Sequence, residues 1–434
     1  MKHGIDRRQF IASGALAGTG ALLRARYAFA APAQGDARFV CVILRGALDG
    51  LSAVPPYGDP DYARLRRELA LAAPGATDGA LRLDGNFGLN PGLKFLHERY
   101  QAGELAVFHA VATPYRERSH FDGQDLLENG TPVAHGAQTG WLNRALAAMP
   151  GPAARGREAG VALGQNIPLV MRGPAPVASW SPSVLPDLDA DTLQRIADRY
   201  AGDPLLSQRF ADAMATDRIA SEAQGDADGM MKTAPVPSGE SRAADAAVPG
   251  GAAAAGGVGR LRAAPYTETV RTAAGFLRRE DGPAVAVFDT TGWDTHANEG
   301  GGQGQLTQRL AALDAGMRTL HEQLGPVWAR TAVLIVTEFG RTAAANGTRG
   351  TDHGTGATAF LVGGAVQGGR VVADWPGLAA NALYQGRDLK PTLDLRAVMK
   401  GVLAAHLGVP AAALDREVFP DSSGIRPLRD LVRT

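Results

Sequence analysis

Three observations predict an α/β chain whose doubly wound, mostly parallel sheet is sandwiched between helices. Four apolar runs recur along the chain, at 38–44 (RFVCVIL), 105–112 (LAVFHAVA), 284–289 (AVAVFD) and 332–336 (AVLIV). They carry no regular polar alternation, which marks strands buried on both faces. Helical patterns separate the runs, and strands alternating with helices give a parallel sheet. Such a sheet gathers its carboxyl ends on one edge, where open α/β sheets bind their ligands.

Residues 1–30 read as a leader and not as part of the fold. Arg7-Arg8-Gln9-Phe10-Ile11 is a twin-arginine export signal, followed by a weakly apolar stretch at 11–23. That stretch is too short to span a membrane. Ala28-Phe29-Ala30 fits a small-x-small cleavage site, so the mature chain would start near Ala31. The expected partner is the twin-arginine translocase, and the expected location is the periplasm or the exterior. No other stretch is long and apolar enough for a membrane span. Net charge is zero, so there is no electrostatic case for nucleic acid. Cys41 is the single cysteine, which rules out an intrachain disulfide.

The mature chain, 31–434, reads as one α/β domain. After the first strand comes Arg45-Gly46-Ala47-Leu48-Asp49-Gly50-Leu51, a turn with one carboxylate. Residues 59–72 have helical spacing. Residues 89–101 read as a helix with Asn90 as its cap and Pro91 in the first turn. Beyond the second strand, 119–129 is a helix ended by Gly130, and 141–149 is another. Residues 161–178 hold short strand-like runs, and 188–213 is helical. The stretch 224–259 is low-complexity Ala, Gly, Pro and Ser, expected to be a surface excursion. Helices follow at 267–279, 305–324 and 394–407, and a further apolar run lies at 357–362.

Acids and imidazoles fall just past these strands. Asp49 follows the first. Ser119 and His120 follow the second, at a helix start. Asp294 and His296 follow the third. Glu338, Asp352 and His353 follow the fourth. Carboxylates and imidazoles from distant parts of the chain, meeting at one sheet edge, form a ligand set for divalent metal. With imidazoles available, zinc or manganese is expected before calcium. Divalent ions can clamp the oxygens of an in-line displacement at phosphorus or sulfur. The expected metal residues are therefore Asp49, Asp294, His296, Glu338, Asp352 and His353. Ser119 or His120 is the candidate catalytic group, and Arg116, Arg118 and Arg341 are candidates to hold anionic oxygens. No G-x-S-x-G elbow supports a metal-independent serine esterase.

The motifs ILRGALDGL, RSHFDGQDLLENG, TGWLNR, GWDTHAN, VTEFGRT and TDHGTGATAFLVGG, together with the leader, resemble one family. It comprises exported bacterial proteins catalogued as domain of unknown function fifteen-oh-one. The resemblance covers nearly the whole mature chain except 224–259. It implies the fold of the alkaline phosphatase/sulfatase superfamily, with metals at the carboxyl edge of the sheet. It matches Asp49 to the metal-binding acid after the first strand, and Asp294 with His296 to the acid and imidazole of one metal site. The superfamily usually separates that pair by three residues, whereas only Thr295 intervenes here. Glu338 takes the place of the acid in a later Asp-His motif, with Phe339 where the imidazole would stand. His353 resembles the last histidine before the final strand. No motif of a formylglycine sulfatase occurs. The expectation is an exported metal-dependent hydrolase-like protein acting on phosphate or sulfate esters, with a small anionic ester or a polysaccharide as substrate. The alternative is a non-catalytic periplasmic binding or assembly protein on the same fold.

Overall fold

The structure, a computed structural model, describes residues 37–150, 159–181, 190–231 and 263–433. The expected leader, 1–30, and most of the excursion, 232–259, lie outside these residues. At its beginning, 224–231, the chain is helical.

A nine-stranded sheet forms the centre. Its strands are β1 (Arg38–Leu44), β2 (Leu105–Ala112), β3 (Gly160–Leu163), β4 (Val177–Trp180), β5 (Val285–Thr290), β6 (Thr331–Val336), β7 (Ala357–Val362), β8 (Arg370–Val372) and β9 (Leu393–Asp394). In space they run β8-β2-β7-β6-β1-β5-β3-β4, with β9 also paired to β2. Every pairing is parallel except those of β7 with β2 and with β6. The sheet is therefore mixed but mostly parallel. The reversal has a consequence for the site: β7 brings its amino end to the edge where β1, β2, β5 and β6 end. The turn holding Asp352 and His353 joins that edge because its strand runs backwards.

Burial follows the strand period. Val40, Val42 and Leu44 of β1 enter one core and Phe39, Cys41 and Ile43 the other. The helices are α1 (Gly50–Ala53), α2 (Tyr62–Arg66), α3 (Lys94–Gln101), α4 (His120–Asn129), α5 (Trp141–Ala148), α6 (Ala190–Tyr200), α7 (Pro204–Met231), α8 (Ala263–Arg278), α9 (Gln305–Leu324) and α10 (Leu395–Leu407). Phe95 of α3, Leu277 of α8, and Leu310 and Met317 of α9 pack on the first face. Trp141 of α5, and Val398 and Val402 of α10, pack on the second. Helices thus cover both faces of the sheet.

Three predicted helices differ from the structure. The one expected at 89–101 starts at Lys94, because Asn90 turns its side chain to Gly92 N, Ser52 O and Thr307 Oγ1. The free amides of that helix are capped from outside it. Asp314 of α9 accepts from Phe95 N and Leu96 N, both at 2.9 Å. The helix expected at 59–72 closes early, as α2 followed by a 3-10 turn, Arg67–Leu69. There Leu71 N donates to Tyr62 Oη at 3.1 Å, folding the chain back on itself. The helical stretch at 188–213 is two helices, α6 and α7, with a break between Tyr200 and Pro204.

Candidate metal centre

At the carboxyl edge, His120, Asp294 and His353 bring one ligand atom each within 4.8 Å of one another. His120 opens α4. Asp294 lies in the turn after β5, and His353 lies in the turn before β7. His353 Nε2 is 2.9 Å from His120 Nε2, 3.0 Å from His296 Nε2 and 3.3 Å from Asp294 Oδ1. His296 Nε2 also lies 3.0 Å from Asp294 Oδ1. The Nε2 atoms of His120 and His353 and the Asp294 carboxylate thus crowd one point, with His296 Nε2 beside them.

The far side of each ring faces an acceptor. His120 Nδ1 is 2.8 Å from Glu338 Oε1. His353 Nδ1 is 2.9 Å from the carbonyl oxygen of Arg118. A carbonyl only accepts, so His353 carries its proton on Nδ1 and turns a lone pair inward. His296 Nδ1 faces Asp352 Oδ1 at 3.3 Å. This is the outer arrangement that orients histidines bound to metal. Without a cation, inward lone pairs at these separations repel, and one proton relieves only one pair. The donor set therefore fits a divalent ion. It is open on one side: the side chains of Asp294 and His296 are 41% and 44% exposed.

The surrounding groups fix the charge. Glu338 is buried, which opposes its ionisation. Hydrogen bonds from His120, from the amides of Glu338 itself and Gly46, and from Gln124 hold it below the usual carboxylate range all the same. Its Oε2 accepts from Thr337 Oγ1 at 2.9 Å. Asp294 is likewise held well below its usual range. Burial opposes this, and the bond from His120 and the buried guanidinium of Arg341 outweigh it. His120 is raised to about 9, by its bonds to Asp294 and Glu338 against a smaller effect of burial. Phe339 supplies no imidazole. It forms an apolar floor, its ring centroid 5.0 Å from that of His120 and 5.3 Å from that of His353.

Other expected residues stand elsewhere. Asp49 is not among the converging atoms. It caps α1, accepting from Ser52 N at 3.0 Å, and its Oδ2 takes Arg66 Nη2 at 2.7 Å and Thr351 Oγ1 at 3.0 Å. Glu299, also fully buried, joins this network through Ser52, Thr295, Thr351 and Arg66. Glu338 and Asp352 sit behind the rings and not between them. The three arginines are committed to the fold. Arg341 donates to the carbonyls of Gly46, Ala47 and Thr351 and to Asp294. Arg116 donates to the carbonyls of Thr113 and Tyr115. Arg118 donates to Asp388 and Gln385. Ser119 precedes α4, yet its hydroxyl does not cap the helix. Arg66, Glu299 and Thr351 were not legible as a unit, because their contacts with one another span 52 and 233 residues, and Thr351 lies in an ordinary Gly/Thr loop.

Among the described residues, no helix is long and apolar enough to cross a membrane. Comparison with curated proteins and with solved structures gives no significant match. One family model matches, described as "Protein of unknown function (DUF1501)", and it covers residues 99–417. The matched region contains His120, Asp294, His296, Glu338 and His353, the whole converging cluster with its supporting acid. The chain is thus a member of the DUF1501 family.

Proposed function

We propose that the protein is an exported, divalent-metal-dependent hydrolase of phosphate or sulfate esters, built on an alkaline phosphatase/sulfatase-like fold. One observation carries the reading: three histidines with their Nδ1 sides set against acceptors turn Nε2 toward a single carboxylate, in a site open to solvent. The mostly parallel sheet, covered on both faces and carrying this cluster at its carboxyl edge, supports the superfamily resemblance.

His120, His296, His353 and Asp294 would hold the ion, with zinc or manganese favoured by the nitrogen donors. A bound divalent ion would hold an ester oxygen and offset charge developing at phosphorus or sulfur. Both ring nitrogens of His120 are engaged, which makes it a holding residue. Ser119, adjacent to it, has a hydroxyl with no hydrogen bond among the described residues, at the N-terminus of α4, where the helix end favours an anion. In this reading Ser119 Oγ forms a bond to phosphorus or sulfur as the bond to the leaving alcohol oxygen breaks. The serine proton passes to solvent, and the leaving oxygen takes one from it. Attack by water then frees the serine.

The test is metal analysis and turnover of aryl phosphate and aryl sulfate by protein purified after export. His353→Ala and Asp294→Ala should lose both metal and turnover, whereas Ser119→Ala should keep the metal and lose turnover. Wild-type protein free of metal, with unchanged stability in chelator, would sink this reading. Metal without hydrolysis would favour the binding or assembly role. Export rests on Arg7-Arg8 and on Ala28-Phe29-Ala30. Replacing both arginines by lysine should retain the precursor in the cytoplasm, and maturation of that variant in the periplasm would contradict it.

A further inference from the structure

A cleft of about 510 Å³ opens beside the metal centre at the same edge of the sheet, past the ends of β1, β3 and β5. Among the described residues its polar lining is Arg45, Asp125, Glu128, Gln165, Arg172 and Asp289 with Asn166. Helix α4 connects the two places. It sets His120 in the metal centre at its start and turns Asp125 and Glu128 to the cleft five and eight residues later. At 1.5 Å per residue the separation is roughly 8–12 Å. A continuous chain of side chains bridges it. Arg45 Nη1 donates to Glu128 Oε1 at 2.7 Å and to Gln124 Oε1 at 3.0 Å, and Gln124 Nε2 donates to Glu338 Oε1 at 3.1 Å.

The wall has two kinds of polar group. Arg45 pairs with Glu128 and with Asp289, and the three make a fixed floor. The exposed amides of Gln165 and Asn166 and the terminal nitrogens of Arg172 make no hydrogen bond among the described residues, while Arg172 Nε is anchored on Ile167 O at 2.8 Å. Three carboxylates against two guanidinium groups disfavour an anionic occupant. An apolar occupant would leave the free amides and Arg172 unpaired on desolvation. A polyhydroxylated molecule meets both conditions, since each hydroxyl donates to a carboxylate and accepts from an amide or guanidinium.

We infer that this cleft is a saccharide subsite, which holds the neutral sugar body of a substrate while its ester group reaches the metal centre. The inference rests on the hydrolase reading for the role of the subsite, but not for its occupancy. The separation suits a span of one to two sugar rings.

The test is binding of cellobiose, maltose and lactose to the exported protein, followed by saturation-transfer NMR and calorimetry, with and without chelator. At least one disaccharide should bind in both conditions. Asn166→Ala with Gln165→Ala, and separately Arg172→Ala, should weaken it by about tenfold or more, the loss expected for hydrogen bonds to the ligand. Metal content and melting temperature should not change, because these side chains are exposed and outside the metal centre. No disaccharide binding up to solubility, or equal binding by wild type and both variants, would overturn the subsite. Absence of metal or of ester hydrolysis would overturn the hydrolase reading instead, and the disaccharide titration in chelator reports the subsite independently.

Discussion

Arg66 stands between Asp49 and Glu299, and all three side chains are essentially inaccessible to water. One guanidinium therefore faces two carboxylates. Burial, and then the neighbouring Asp49, push Glu299 up to about 7 in spite of Arg66. Thr351 Oγ1 bonds to both acids and Thr295 Oγ1 to one, so the network ties together the two loops that carry Asp294, His296 and His353. Removing the cation strands both acids. Arg66→Ala should cost about 3–5 kcal/mol in denaturant unfolding, the range for breaking a buried ion pair from one side. Arg66→Lys should cost less, since it keeps the charge but not the fork. A change within about 0.5 kcal/mol for Arg66→Ala, the range of ordinary surface substitutions, would show that the network does not hold these loops.

At the level of elements, α4 shows what local sequence can specify. It runs from His120 to Asn129 and stops at Gly130, whose φ of +72° is the left-handed cap that glycine favours. A Cβ there would lie 2.8 Å from Trp141 Cβ and 2.9 Å from the Phe419 ring. Gly130→Ala combines strain with a clash, so it should destabilise by about 1–3 kcal/mol, visible as a lower melting temperature. An unchanged melting temperature would mean that the α4–α5 junction is not packed as described. The bounds of α4 and α9 and the four long strands were legible because periodicity and caps are local. Helix α3 was not, because its cap is Asp314, more than 200 residues away. In the site, the residue types were legible and their partition was not. Asp49 looks the same in sequence whether it meets a metal or Arg66. His120 meets Glu338 and Phe339 across more than 200 residues, which only the packing of α4 on the turn after β6 reveals. The antiparallel sense of β7 was also hidden, since an apolar run has no direction.

For the whole molecule, the candidate metal centre should make stability depend on pH in a way that distinguishes a metal-free from a metal-loaded state. Without a cation, His120 is protonated and stabilised by Asp294 and Glu338, its pKa standing at about 9 against an ordinary value of 6.5. A raised folded pKa means stability that is fully present below about 6.5 and is lost as pH rises through about 9. The two acids, held below their usual range, contribute stability present above that range and lost on acidification. These are two views of one interaction, so chelator-treated protein should be most stable between the carboxylate range and pH 6.5. A divalent ion competes with the proton on His120, because a ligating imidazole must be neutral. Added zinc or manganese should therefore stabilise the protein more as pH rises toward 9, opposing the metal-free decline. Melting temperatures across this range, with and without metal, provide the measurement, and His120→Gln should flatten the metal-free curve. If metal-free stability rises from pH 6.5 to 9, or if added metal gives the same shift at every pH, His120 neither carries the proton nor yields it to a cation.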